Sequence, residues 1–297
     1  MNKKIDINKI RPVKEHIKYY KLLEGCGYSF YEEFNNAFVK VNCPGCGSEE
    51  MKEIFIKYNF IHCKCEECNT LFCNPRPKEE SLIKYYQNYE SALYLKEILL
   101  KTDVERKSLQ DSNFFKKVIA LDFNKECVDI CLKNGIEARI GSIDKIDDDS
   151  VGLLTMNDLI EHVHYPFIFL IKCHSKLVKN GFIFINTPNG EGFDFQILKE
   201  KTVNITPPEH LNYFNPYSIG LLAKRAGFKI VKVGTPGILD VQIVMREIEN
   251  GKINLKKENN FLQYLLYDTS EETVSNFQKF LTDNLLSSHM FIIARKI

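Results

Sequence analysis

Four cysteines fall into two pairs with metal-site spacing. Cys43-Pro44-Gly45-Cys46-Gly47 is one Cys-x-x-Cys knuckle, with proline and glycine where a tight turn needs them, and Cys65-Glu66-Glu67-Cys68 is the second. Eighteen residues separate the knuckles, enough for a β-hairpin. Tetrahedral zinc takes four soft donors from two chain segments, and each knuckle supplies two thiolates from one turn. Four protein ligands leave no open coordination position, so such an ion stabilises structure and performs no chemistry. The bland alternative is that these cysteines are merely buried or redox-active. Cys63 and Cys73 lie near enough to compete, but neither forms a two-residue-gap pair like Cys43 and Cys46, and both are read as non-ligands.

The background composition is that of a soluble globular protein. Apolar residues make up 44% and charged residues 27% of the 297 positions, enough for a core and for solubility. The formal net charge of +1 argues against strong attraction to nucleic acid or to an anionic membrane surface. Met1-Asn2-Lys3-Lys4-Ile5-Asp6 has no apolar run behind it, so a cytosolic protein is expected. The longest apolar stretches, Phe167 to Ile171 and Gly181 to Ile185, are far shorter than the roughly 20 residues of a membrane span. In a reducing cytosol, clustered cysteines among ten point to metal and isolated ones to core.

The elements that position chemistry follow from periodicity and turn residues. Ile17, Tyr20, Leu22 and Leu23 suggest a short amphipathic helix in an N-terminal extension, residues 1–42. The ribbon, 43–78, ends in Asn74-Pro75-Arg76-Pro77, which reads as a rigid linker. Leu82, Tyr85, Tyr86, Tyr89, Leu93 and Leu95 recur at helical spacing, predicting a connector over 79–111 that is mainly helix to about 108. From 112 to 237 strands and helices alternate. Val118 to Leu121 reads as a strand buried on both faces and ending at Asp122; a helix spans Lys125 to Lys133; strands follow at Ile136 to Ile140 and Val151 to Met156. A helix from Pro166 to Val178 is closed by Asn180-Gly181 before a strand from Phe182 to Asn186. Asn215 caps a helix with Pro216 in its first turn, and Phe228 to Val233 is the next strand. Such alternation implies a Rossmann-like, doubly wound α/β fold with a mostly parallel sheet. The final segment, 238–297, is helical around Phe261 to Tyr267 and Glu271 to Leu286, and Met290 to Ala294 is a candidate returning strand.

In an open parallel sheet, ligands bind beyond the carboxyl ends of the strands. Asp122 there can accept hydrogen bonds from the two hydroxyls of an adenosine ribose; equally, Asp122 or Asn124 can simply cap the next helix. From Cys43 to about Val233 the chain resembles class I S-adenosylmethionine-dependent methyltransferases, particularly those with an N-terminal zinc ribbon. The matching pieces are the two cysteine knuckles, Asn74-Pro75-Arg76-Pro77, Ala120-Leu121-Asp122, Asn157-Asp158-Leu159-Ile160-Glu161-His162-Val163, Asn186-Thr187-Pro188-Asn189 and Pro208-Glu209-His210-Leu211-Asn212-Tyr213-Phe214, in that order. The resemblance implies S-adenosylmethionine as cofactor, with Asp122 on its ribose, Asp144 near the adenine amino group, and Asn157 and Asp158 at the methionine end. Asp144 as a plain turn residue, and Asn157 with Asp158 as helix caps, are the structural alternatives.

One departure stands out. The resemblance calls for a strand ending in an acidic residue, a Gly-x-Gly-x-Gly loop and a helix before the strand that ends at Asp122. Between Ser91 and Lys117 there is no glycine, and Ser108 to Lys116 is too short for those three parts. Gly25-Cys26-Gly27 precedes the ribbon and follows no buried strand, so it is not that loop. The middle strand and its loop therefore read as deleted, with weakened cofactor affinity as the expected consequence.

Methyl transfer is an in-line displacement from a sulfonium, in which the protein positions the acceptor and, where needed, removes its proton. His210 and His162 are the candidate general bases, each on a loop after a strand; loop orientation and satisfaction of buried polar groups are the alternative roles. The expectation is methyl transfer to a small-molecule or sugar-type acceptor, with the C-terminal helices covering the acceptor pocket. The competing expectation is a catalytically inactive relative acting as a binding or assembly module. A zinc-ribbon nucleic-acid module finds little support in the balanced charge.

Overall fold

The computed structural model describes residues 13–95, 115–255 and 259–297. Helix α1 (Val13–Phe34) is 22 residues long, well beyond the short N-terminal helix expected. It packs Phe30 against Phe60 of the ribbon and Tyr85 of helix α2 (Glu79–Asn88), so the extension is held by a shared core. Tyr89 is extended and interrupts the helical connector; the backbone is helical again over 90–95, and the rest of the expected helix lies outside the described residues.

The ribbon is a hairpin of β1 (Met51–Lys57) and β2 (Phe60–Cys65), continued by β3 (Leu71–Cys73). Its two-residue turn, Tyr58-Asn59, has φ of 50° and 67°, the backbone a tight hairpin with right-twisting strands requires. The pairing runs Met51 opposite Cys65 and brings the second knuckle back beside the first. The segment 74–77, read as a linker, is a buried clasp instead: Arg76 is 1% exposed and donates to the carbonyls of Cys73 and His164, both at 3.1 Å.

The α/β unit comprises β4 (Ile119–Asp122), α3 (Lys125–Lys133), β5 (Glu137–Ile140), β6 (Val151–Asn157), α4 (Pro166–Lys176), β7 (Leu177–Pro188), α5 (Phe193–Leu198), β8 (Asn212–Tyr213), α6 (Pro216–Arg225) and β9 (Phe228–Gly234). After it come α7 (Asp240–Glu249), α8 (Asn260–Tyr267), α9 (Glu271–Asp283) and β10 (His289–Lys296). The sheet is in two pieces: β4 and β5 pair in parallel, while the larger piece has the order β6-β7-β10-β9. Strands β6 and β7 are parallel, and β10 returns antiparallel between β7 and β9. Strand β4 is half-buried along its length, not covered on both faces as its apolar run suggested; among the described residues it pairs with β5 alone.

Helix α4 ends at Lys176, earlier than expected, because Leu177 is already extended. Asn180, at φ 65°, and Gly181 do not close that helix; they lie within β7, where the register with β6 shifts between Val151 and Leu153. The main core lies under the larger sheet, around Met156, Ile160, Leu170, Ile183, Leu222 and Ile292. A second core joins α5 to the C-terminal helices through Phe193, Val244, Leu262 and Leu281. No helix among the described residues is long and apolar enough to cross a membrane.

Candidate functional site

The two knuckles form the same turn. Gly47 N donates to Cys43 O at 2.9 Å and Asn69 N to Cys65 O at 3.1 Å, and Gly47 and Asn69 both have positive φ. Each turn aims its sulfurs at those of the other: Cys43 and Cys68 Sγ are 3.4 Å apart, Cys46 and Cys65 Sγ 3.5 Å. One donor atom from each cysteine lies within 4.8 Å of the others, and no disulfide is formed. Zn–S bonds of about 2.3 Å place tetrahedral sulfurs roughly 3.8 Å apart, so the cluster fits a zinc ion. Cys63 and Cys73 are outside it: the Cys63 thiol donates to Asn74 O at 3.5 Å, and Cys73 Sγ is 3.5 Å from His62 Nε2.

The ribbon is joined to the α/β unit at the knuckles. Asn215 caps α6 by accepting from the backbone N–H groups of Tyr217 and Ser218, at 3.0 and 2.8 Å, while Ser218 Oγ accepts from Asn215 N. Its side-chain amide meanwhile donates to Cys68 O at 2.9 Å, and Arg225 at the far end of α6 donates to Gly45 O at 2.7 Å. Strand β3 pairs with β8, Leu71 opposite Tyr213. Cys73 N donates to Leu211 O at 3.0 Å, so the ribbon's last strand fixes the segment that carries His210.

The four residues assigned to cofactor binding fall in separate settings. Asp122 ends β4, and its Oδ1 accepts from Asn124 N at 2.8 Å, while Asn124 caps α3 by accepting from Glu126 N at 2.9 Å. Asp144 lies in a short 3-10 turn, accepts from Ser142 Oγ at 2.8 Å and pairs with Lys172 at 3.0 Å, which holds its carboxyl below the usual range. Asn157 ends β6 opposite Asn186. Asp158 follows at φ 47°, with its N–H on Asn186 O at 2.9 Å and its carboxylate 3.3 Å from His289 Nε2.

Beyond Asp158 the loop after β6 meets the loop before β8. Leu211 N and Asn212 N both donate to Glu161 O, at 2.9 and 3.1 Å, and Asn212 Nδ2 donates to Val163 O at 2.8 Å. This clasp brings the His162 and His210 rings to a centroid distance of 4.6 Å, edge to face. His162 Nδ1 is 2.9 Å from Glu209 O and 3.0 Å from Tyr86 Oη, and His210 Nδ1 is 2.8 Å from Asn204 O. Carbonyls only accept, so each Nδ1 carries the proton and each Nε2 keeps its lone pair. Burial and the neighbouring His210 push the His162 imidazole down to about 3, and burial lowers His210 as well. Both rings are neutral near pH 7.

Two buried carboxyls that sequence reasoning did not assign lie in the same two loops. Glu161 is fully buried; Thr187 Oγ1 donates to its Oε2 at 2.8 Å, and its Oε1 has no partner. Burial, reinforced by the charge of Asp158, raises it to about 8. Glu209 accepts from Tyr19 at 2.5 Å and Tyr85 at 2.9 Å, and burial raises it to about 7 against those hydrogen bonds. A signal was present: the dipeptide Glu-His occurs at 15–16, 161–162 and 209–210, and the last two each follow an apolar or proline-rich run.

Residues 45–233 match a family model described as a methyltransferase domain. Among solved structures, a S-adenosylmethionine-dependent methyltransferase from Archaeoglobus fulgidus is 17% identical, with 74% of this chain and 100% of that one covered and a TM-score of 0.40. A S-adenosylmethionine-dependent methyltransferase of Thermotoga maritima, described as a possible histamine N-methyltransferase, is 16% identical over 61% of this chain and 73% of that one, with a TM-score of 0.40. A third, from Mesorhizobium loti, is 13% identical over 65% of this chain and 86% of that one, again with a TM-score of 0.40. No curated protein sequence matches. The family model spans more than half of the 297 residues, and the chain belongs to the methyltransferase-domain family, with a four-cysteine ribbon at the N-terminal side.

Proposed function

We propose that the chain transfers a methyl group from S-adenosylmethionine to a small-molecule or sugar-type acceptor, in the reducing cytoplasm where its thiols remain free. The observation that carries this reading is the pair of neutral imidazoles, His162 and His210, held 4.6 Å apart at the carboxyl end of β6 beside Asp158. Ligands of open α/β sheets occupy that end. Asp122 likewise stands at the end of its strand, β4, and a carboxylate accepting one backbone N–H retains acceptor capacity for ribose hydroxyls. Asp144 is assigned to the adenine side, and Asn157 with Asp158 to the methionine side.

The cofactor, when bound, supplies an electrophilic methyl group on a sulfonium. The chain's own residues orient the acceptor and receive its proton at Nε2 of His210 or His162. Their Nδ1 protons are fixed on Asn204 O and Glu209 O, which locks the tautomer that such a transfer needs. The four cysteines hold zinc as a structural ion, and the ribbon it stabilises sets the position of the His210 segment through the pairing of β3 with β8.

A second reading, an inactive relative serving binding or assembly, is favoured by one pair of observations. Among the described residues the sheet is divided between β4 and β6, and no glycine occurs between Ser91 and Lys117, where a cofactor loop with its middle strand is called for. Formation of S-adenosylhomocysteine, measured across a panel of hydroxylated and amino acceptors, separates the two. Turnover that falls about 100-fold or more in His210→Ala or His162→Ala supports the first reading. Turnover unchanged in both variants removes their acid-base role.

A further inference from the structure

We propose that Glu161, His162 and His210 form a second metal site, taking one divalent transition ion through one oxygen and two nitrogens. One donor atom from each of the three residues lies within 4.8 Å of the other two. In a loaded site, bonds of about 2.1 Å place such donors roughly 3.0–3.5 Å apart, so a pair at the outer limit would close by roughly 1.3–1.8 Å.

The surroundings are those of a ligand set. Each imidazole donates its Nδ1 proton to a backbone carbonyl, His162 to Glu209 O at 2.9 Å and His210 to Asn204 O at 2.8 Å. That outer contact fixes ring orientation and tautomer and leaves Nε2 as the free donor, the arrangement found behind metal-bound histidines. Asn204 is itself anchored, its side chain donating to Asp194 Oδ2 at 2.8 Å. Glu161 repeats the pattern: Oε2 is held by Thr187, and Oε1 is buried with no hydrogen-bond partner, a cost that a cation there would offset.

Two histidines and one carboxylate suit zinc, iron, cobalt or manganese and leave coordination positions open, unlike the closed four-cysteine cluster. Glu161 is inaccessible, but both histidines are part-exposed, so an ion can enter and an oxygen-bearing molecule can reach it. The inference stands on this geometry and holds whether or not the chain transfers methyl groups. With an ion bound, both Nε2 lone pairs would be occupied, so these imidazoles would serve either as metal ligands or as proton acceptors and not as both.

The test uses the full chain with its cysteine site first filled by one equivalent of Zn²⁺, then titrated with Co²⁺. The expected result is one further equivalent bound, with visible d–d absorption and no thiolate-to-cobalt charge-transfer band. Glu161→Gln and His210→Ala should each weaken that second equivalent by roughly 100-fold or more while zinc stays in the cysteine cluster. No stoichiometric Co²⁺ uptake by the zinc-loaded wild-type chain at millimolar metal overturns the proposal, and so does a spectrum dominated by thiolate charge transfer. Because the wild-type titration decides by itself, a variant that fails to fold does not shelter the proposal. A chain that binds cobalt this way but no S-adenosylmethionine would sink the methyl-transfer reading alone.

Discussion

The side chain of Asn215 serves two elements at once: its oxygen caps α6, and its amide donates to the carbonyl of Cys68 at 2.9 Å. A helix start in the α/β unit and a zinc knuckle in the ribbon therefore share one residue. Replacing it by alanine loses both contacts. An N-terminal cap is worth ~1–2 kcal/mol, and a buried hydrogen bond adds about 1 kcal/mol. Asn215→Ala should lower stability by about 2–3 kcal/mol in urea denaturation, whereas Asn215→Ser, which can keep the cap and loses only the amide, should cost less.

Gly45 has no room for a side chain. A Cβ there would lie 2.6 Å from Thr70 Oγ1, 3.2 Å from Ser218 Cβ and 3.3 Å from Cys68 Sγ. Gly45→Ala should push the ribbon off α6 and cost about 1–3 kcal/mol. A thermal unfolding midpoint equal to that of the wild type would show that the ribbon does not seat there as described.

Metal removal should reach beyond the ribbon. Strand β3 holds Leu211 and the carbonyl of His210, the latter also receiving the Tyr213 hydroxyl at 3.0 Å. Stripping zinc with a chelator, or Cys65→Ser, should increase amide exchange in residues 204–214 as well as in 43–73. Exchange raised in 43–73 alone would mean that the two parts are stable independently.

Glu209 supplies a pH dependence with a definite sign. Its carboxyl is raised from an ordinary value near 4.5 to about 7, chiefly by burial. The folded chain therefore binds that proton more tightly than the unfolded chain. The associated stability is complete below about 4.5 and is lost as the pH rises through about 7. Glu209→Gln removes this contribution, so the stability difference between wild type and variant should shift in favour of the variant between pH 4.5 and 7. A difference independent of pH over that window would contradict the assignment.

Much of the architecture was legible because it is written locally. The knuckles, the Asn215-Pro216 helix start and the strand-helix alternation each depend on neighbours in sequence, and each is found. Elements set by long-range packing were harder to read. The length of α1 depends on Phe30 finding Phe60 and Tyr85, and the buried clasp at Arg76 depends on His164, 88 positions away. Likewise Asn180-Gly181 carries the local chemistry of a helix stop, but pairing with β6 draws the chain into strand first. The histidines of the site were visible as types, while the role of Glu161 was not: only the fold shows a carboxyl buried with an unpartnered oxygen beside both imidazoles.

The central claim is that the strand end bearing Asp122 still holds an adenosine moiety without a glycine loop before it. Calorimetric titration of S-adenosylmethionine into the zinc-loaded chain tests this most directly. The account predicts saturable binding of one molecule per chain, weakened about tenfold or more in Asp122→Ala, as loss of a hydrogen bond to a charged group implies. Absence of any binding heat at millimolar ligand, with the protein folded, would contradict it.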